Sequence, residues 1–302
     1  MKFKNTQVWG FDHALRGMRN AKNSWSKADS GYKALASCLD KKYCENCTYD
    51  TCGGSCGEVY IIGPNDMKLI QSLIKGGPEH RKFMRQIFVS VDITAPLYWY
   101  KEFDTYKIGT VANSTSTMHT IEKSPITINN FEIDDCEWNL RCSDDYEYND
   151  IYTYDDIDDF KEYLIEHLEY LRKKYLETKD KKYWKELIRW LPESWLQTRT
   201  VTMNYENLFS MCSKGQRRFH KLNEWSGQDD ASLENFIAWA RTLPYAQELI
   251  FADELWEEEE KLKQEKIRAF DILTNMLRAI DIDVDNMTVE ELLNEITNAL
   301  NL

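Results

Sequence analysis

Residues 78–119 read PEHRKFMRQIFVSVDITAPLYWYKEFDTYKIGTVANSTSTMH. This stretch combines an apolar strand, an aromatic helix and a polar run. Residues 87–93 are rich in β-branched side chains and partly alternate apolar with polar ones, which predicts a half-buried strand. Thr94 is a candidate N-cap, and Pro96 stands near the start of an aromatic segment with helical spacing. This segment predicts a helix that begins directly after the strand and ends around Gly109.

A polar run follows that helix. Residues 110–119 (TVANSTSTMH) carry five hydroxyl side chains and one Asn, with few apolar residues. Polar residues that directly follow buried elements are common positions for binding sites. We therefore expect a functional site in this run.

The order of these residues resembles flavin-dependent thymidylate synthases. That family has a Glu-His pair, a strand, a helix often opened by Ala-Pro, and a signature that reads Arg-His-Arg, two residues, Ser, one residue, Asn, two residues, Ser, one residue, Arg-Tyr. With the second Ser placed on Ser116, the Asn falls on Asn113, and Glu79 and His80 match the pair. The signature differs at several positions: Tyr106, Lys107 and Ile108 replace Arg-His-Arg, Val111 replaces the first Ser, and Met118 and His119 replace Arg-Tyr.

A second stretch resembles the family's late segment. It runs from LPESWLQTRTVTMNYENLF at residues 191–209 to QRRFHKLNEW at residues 216–225. Asn204, Arg217 and His220 match family positions around the nucleotide, while Glu206 stands where the family usually has Arg. In residues 216–221 an Arg cluster could bind a phosphate or could balance nearby acidic residues, and both interpretations stay open.

The resemblance implies a function. Reduced flavin would drive transfer of a one-carbon unit from methylenetetrahydrofolate to dUMP, with FAD as cofactor and NADPH as reductant. It implies that Ser116, Arg217 and His220 bind the pyrimidine nucleotide, and that His80, Lys107, Asn113 and Asn204 lie near the flavin. His80 could equally be a hydrogen-bonded structural residue. The resemblance also implies a homo-oligomer, a tetramer in the active members. The alternative is an inactive nucleotide-binding or structural protein on the same fold.

Composition limits the other functional classes. The chain has 302 residues, 42% of them hydrophobic, with a net charge of −13 and a pI near 5.0. A chain of this length can bury a sizeable core, whereas phosphate neutralisation by DNA- or RNA-binding proteins needs clustered Lys and Arg. No segment approaches about 20 consecutive apolar residues. We expect a cytoplasmic protein that binds neither nucleic acid nor membrane.

Five of the eight cysteines lie in residues 38–57, which we interpret as an insertion. Cys44 and Cys47 have the two-residue gap that lets two thiolates bind one metal, and Cys52 and Cys56 complete a compact set. This spacing favours a structural zinc site. Free thiols and disulfides remain alternatives, the latter less favoured without a secretory signal.

The predicted architecture is α+β. An antiparallel sheet carrying strands 87–93 and 198–203 is flanked by long helices, as in the resembled family. We expect one domain over residues 1–252 and a helical appendage over 253–302, where composition changes and Thr288 and Glu291 form a capping box. The appendage offers no chemistry and is expected to serve packing or assembly.

Overall fold

The computed structural model describes residues 1–34, 58–106, 108–133, 157–215, 218–279 and 291. The chain divides into two compact units, Met1–Ile250 and Phe251–Leu302. The four cysteines of the predicted zinc site and Thr288 of the predicted capping box lie outside the described residues.

The described residues of the first unit form a four-stranded antiparallel sheet and a two-stranded one. The strands are β1 (Lys2–Trp9), β2 (Gly31–Ala34), β3 (Glu58–Ile61), β4 (Phe88–Pro96), β5 (Val111–Ser114) and β6 (Leu196–Asn204). The larger sheet has the order β1-β4-β6-β5, and β2 pairs with β3. The predicted α+β class with an antiparallel sheet is confirmed.

Both units contain helices. In the first unit they are α1 (Phe11–Met18), α2 (Pro64–Lys75), α3 (Leu97–Phe103), α4 (Thr117–Thr120), α5 (Ile157–Thr178), α6 (Lys181–Arg189), α7 (Tyr205–Cys212), α8 (Asn223–Ser226), α9 (Phe236–Arg241) and α10 (Ala246–Leu249). Short 3-10 segments include Arg81–Gln86. The second unit contains α11 (Ala252–Ala279). Among the described helices, none has the length and apolarity needed to cross a membrane.

The two faces of the larger sheet differ in polarity. On β4, Val89, Val91 and Ile93 are buried on one face. The other face is polar, and its side chains hydrogen-bond across the strands: Thr94 to Thr198 and Asp92 to Thr200 are examples. On the apolar face Phe3 of β1, which pairs with Ile93, contacts Phe236 of an aromatic core that also includes Trp99 and Trp225. This alternation is the period of two that residues 87–93 predicted.

The strand extends further than its sequence predicted. Pairing with β6 continues to Pro96, and Pro96 rather than Thr94 takes the N-cap position of α3. The Thr94 hydroxyl instead lies 2.7 Å from the Thr198 hydroxyl on the neighbouring strand. The side chain predicted to cap the helix therefore forms a hydrogen bond between strands. The helix ends at Phe103, earlier than predicted.

A buried ion pair fixes the start of α2. Arg19 Nε donates to Asp66 Oδ1 at 2.6 Å, and both side chains are almost fully buried. The other Asp66 oxygen accepts from the Ser30 hydroxyl and from the backbone N–H groups of Asp29 and Ser30. Burial raises the pKa of Asp66, but the hydrogen bonds from Ser30, Arg19 and Asp29 outweigh it, so the pKa lies below its usual value.

We predict that Asp66→Asn lowers the free energy of unfolding by about 3–5 kcal/mol, because it leaves the Arg19 charge buried without its partner. Urea unfolding measures this. The exposed Glu177→Gln, which removes a surface partner of Lys174, should change the value by less than about 0.5 kcal/mol.

The same ion pair predicts a pH dependence. Because the folded-state pKa of Asp66 is depressed, its stabilisation is present above the unfolded-state pKa of about 3.9 and is lost as pH falls through the folded value. The stability difference between wild type and Asp66→Asn should therefore shrink below about pH 4. A difference that stays constant from pH 7 to pH 3 would contradict this account.

Candidate functional site

The polar run lies directly beside the late strand. β5 pairs with β6 in antiparallel register, with Asn113 opposite Thr200 and Ser114 opposite Arg199. Directly opposed residues share a face of a sheet, so Asn113 joins the polar face. We call this face the polar strip, and its members are Ser90, Asp92, Thr94, Asn113, Thr198, Thr200 and Thr202.

Ser116 and Asn204 lie at opposite ends of the polar strip. Thr115 continues the pairing, since its N–H donates to the Thr198 carbonyl at 2.8 Å, and half-buried Ser116 follows at the N-cap position of α4. Asn204 ends β6, about 20 Å from Thr198 along an extended strand. The predicted residues Ser116 and Asn204 therefore do not share one compact pocket within a protomer.

Arg199 is a cation beside the polar run that the sequence interpretation missed. Its Nη1 donates to Asp104 at 2.9 Å and its Nε to Gln197 at 2.9 Å, while its guanidinium lies 3.8 Å from the centre of the Tyr100 ring. Gln197 in turn donates to the Thr115 carbonyl. The alternation of side chains along β6 could have identified Arg199, because it is a charged residue on the same face as the buried Val201 and Met203.

Asn204 fixes the loop that precedes β5. Asn204 and Asn207 form a capping box at the start of α7, and the Asn207 side chain donates to the Ile108 carbonyl at 2.6 Å. Gly109 has a φ of 81°, and a Cβ there would lie 2.9 Å from the Asn204 side chain. The loop thus packs closely on Asn204. Lys107 belongs to this loop but is outside the described residues.

His220 faces the last turn of α3. Its Nε2 lies 3.8 Å from Glu102 Oε2, and its Nδ1 accepts the Leu222 N–H at 3.1 Å. The imidazole packs on Trp225, with ring centres 5.6 Å apart. One helical turn before Glu102, the Tyr98 hydroxyl donates to Glu224. The structure therefore joins α3 to the segment that carries His220.

Glu224 is a buried carboxyl group. Burial raises its pKa above the usual range, and the hydrogen bond from its own backbone N–H offsets this in part. The neighbouring indole Nε1 atoms of Trp99 and Trp225 are buried and have no hydrogen-bond partner within the described part of the chain. Perturbed acids of this kind occur often at functional sites.

The remaining predicted residues lie elsewhere or outside the described ranges. Exposed His80 precedes the 3-10 segment and lies against Gly76 at the end of α2. Arg81 next to it pairs with Glu206 at 3.0 Å and covers the Phe209 ring. In the predicted basic patch, Arg218 is buried and donates to the Cys212 carbonyl at the end of α7, and Arg217 is not described.

Metal binding was predicted only in residues that are not described. The described residues contain no group of three or more His, Cys, Asp or Glu side chains that could hold a metal ion.

Comparison with known proteins gives structural likenesses alone. No family model and no curated protein matches the chain. A flavin-dependent thymidylate synthase from Helicobacter pylori, solved with FAD and dUMP, is 16% identical with a TM-score of 0.46, over 84% of this chain and 99% of that one. A UMP/dUMP methylase from Streptomyces cacaoi, bound with 5-Br UMP, is 14% identical with a TM-score of 0.40, over 74% and 95%. The first belongs to the family that the two stretches of sequence resemble.

We predict that the stability of Glu224→Gln, measured relative to wild type, increases as pH rises. A group whose folded-state pKa is raised stabilises the fold below its unfolded-state pKa of about 4.3 and loses that contribution as pH rises through the folded value. Melting temperatures of wild type and variant should therefore diverge in favour of the variant between pH 4 and pH 8. The exposed Glu79→Gln serves as control, and parallel curves for wild type and Glu224→Gln would contradict the prediction.

Proposed function

We propose that the chain is a divergent flavin-dependent transferase that adds a one-carbon unit to a pyrimidine nucleotide such as dUMP. The supporting observation is the pairing of β5 with β6, because these strands come from the two stretches that resemble the family. Nothing in their local sequence requires strands 111–114 and 196–204 to be neighbours. Their register nevertheless sets Asn113 beside the strand that ends at Asn204.

The chemistry of the polar strip suits a nucleotide. Its hydroxyl and amide groups can donate to phosphate oxygens and exchange hydrogen bonds with sugar hydroxyls. In this proposal Ser116 and Arg217 bind the nucleotide phosphate and His220 lines the pocket. Arg217 would supply the fork of donors that matches a phosphate.

The same kinds of side chain can form hydrogen bonds with the polar groups of a flavin cofactor. Asn113 and Asn204 would hold FAD from the two parts of the strip, with Lys107 on the loop that Asn204 fixes, and His80 from the preceding segment. When bound, the flavin supplies the redox chemistry, with NADPH as reductant and methylenetetrahydrofolate as one-carbon donor. The chain's own residues bind and orient the two ligands.

A second copy of the chain would complete this site. All four residues of β5 are exposed, and β5 is an edge strand of the sheet. Edge strands that are left open invite pairing or cover by another chain. In the tetramer implied by the resemblance, each site would contain residues of several protomers.

A nucleotide-binding protein without the redox step is the alternative. Ile108, Val111 and Met118 are 91%, 67% and 56% exposed, and they stand where the resembled signature has Arg, Ser and Arg. A hydrogen bond from a charged group is worth about 1.5–3 kcal/mol, so apolar residues at the two Arg positions would bind an anionic cofactor more weakly. The described cations Arg81 and Arg199 are already paired with Glu206 and Asp104.

Flavin binding separates the two functions. The proposal predicts that the purified protein takes up FAD, shown by quenched flavin fluorescence, and forms dTMP from dUMP when NADPH and methylenetetrahydrofolate are present. Uptake of dUMP without FAD, measured by calorimetry, would favour the alternative. Failure to bind FAD or any pyrimidine nucleotide would overturn both.

We predict that Arg217→Ala weakens dUMP binding by roughly 10- to 150-fold, because it removes a charge-assisted hydrogen bond worth about 1.5–3 kcal/mol. Titration calorimetry measures the change. Lys182→Ala, which removes an exposed partner of Asp180, is the matched control and should leave dUMP affinity unchanged. Equal affinities for wild type and Arg217→Ala would remove Arg217 from the site.

A further inference from the structure

The Glu102 carboxylate, a hydrogen-bond acceptor, lies beside the His220 imidazole, whose N–H is a donor. Glu102 lies in the last turn of α3, and His220 lies in the segment between α7 and α8. Their side chains are 26% and 17% exposed, so both are accessible at one edge and buried elsewhere. The gap of 3.8 Å between Oε2 and Nε2 exceeds hydrogen-bond length.

The backbone fixes the tautomer of His220. The Leu222 N–H is a donor, and it lies 3.1 Å from Nδ1, so Nδ1 must be the unprotonated nitrogen that accepts. The neutral imidazole therefore carries its hydrogen on Nε2, which is the atom on the side of Glu102. A carboxylate offers about four lone-pair sites, so Glu102 can accept from a ligand in addition to its other contacts.

The side chain of His220 and the helix that carries Glu102 are both held by rigid surroundings. His220 packs on Trp225, which is fully buried and contacts the rings of Trp99 and Phe236 at tilted angles. Tyr98, one turn before Glu102 on the same face of α3, donates to Glu224. The Glu102–His220 couple is therefore preorganised, which is what selective recognition requires.

We propose that Glu102 and His220 determine base specificity by reading the imide edge of a uracil-type base. Glu102 accepts the ring N3–H, and His220 Nε2–H donates to the adjacent carbonyl oxygen. A cytosine base presents an unprotonated N3, which would face the Glu102 carboxylate without a hydrogen. The inference rests on the proposed function, because it assigns a role within the same nucleotide site.

Binding of dUMP and dCMP to the full-length protein tests this, since the two share sugar and phosphate and differ in the base. We expect wild type to prefer dUMP by roughly 5- to 150-fold, the value of about 1–3 kcal/mol for a good paired contact to a base. Glu102→Gln, whose amide can donate to cytosine N3, should reduce or invert this preference. His220→Leu should weaken dUMP binding, and His220→Gln, which keeps a donor at the same reach, should restore part of it.

The matched control is Glu193→Gln, an exposed carboxylate that pairs with Lys101 on α3 and should leave the dUMP/dCMP ratio unchanged. Melting curves establish that each variant is folded. A wild type that binds dUMP and dCMP equally, or a ratio that Glu102→Gln does not alter, overturns the specificity role while the proposed function stands. A wild type that binds FAD but neither nucleotide overturns the specificity role and the dUMP substrate together.

Discussion

The antiparallel pairing of β6 with both β4 and β5 positions the other elements of the sheet and the helices that follow them. β6 bonds to β4 along its whole length and to β5 along its middle, so it joins segments that are about a hundred residues apart in the chain. Its alternation then separates a buried face, which packs on the aromatic core, from the polar strip. Non-local pairing of this kind carries a closure entropy that side-chain contacts on both faces must offset.

The helix α3 extends this constraint to the segment that carries His220 and Glu224. Because β4 continues to Pro96, α3 must start there, and its backbone is tied to residues 193–195 just before β6. Trp99 anchors α3 in the core, which leaves Tyr98 and Glu102 on the face toward Glu224 and His220. Glu102 therefore lies beside His220 because β4 continues to Pro96 and α3 begins directly after it.

Local sequence rules were sufficient for much of this fold. β-branched residues predicted the centres of β4 and β6. Thr94 was misassigned because its hydroxyl has two possible partners, and the cross-strand Thr198 is invisible to a local rule. The Arg199–Asp104 pair and the burial of Glu224 also depend on contacts between distant segments, which periodicity cannot supply. Asn113, Asn204 and His220 were predicted as site residues from the resemblance. Their positions on β5, on β6 and beside α3 could be known only from the strand pairing and the contacts in the structure.

In the proposed function, residues 110–119 and 216–225 belong to one nucleotide site. Hydrogen exchange of backbone amides, compared with and without saturating dUMP and FAD, measures whether ligand binding protects both segments. We expect slowed exchange in both segments and smaller changes in α5 and α6, which pack around a cluster that includes Leu168 and Leu187. Protection confined to one of the two segments, or located elsewhere in the chain, would contradict it.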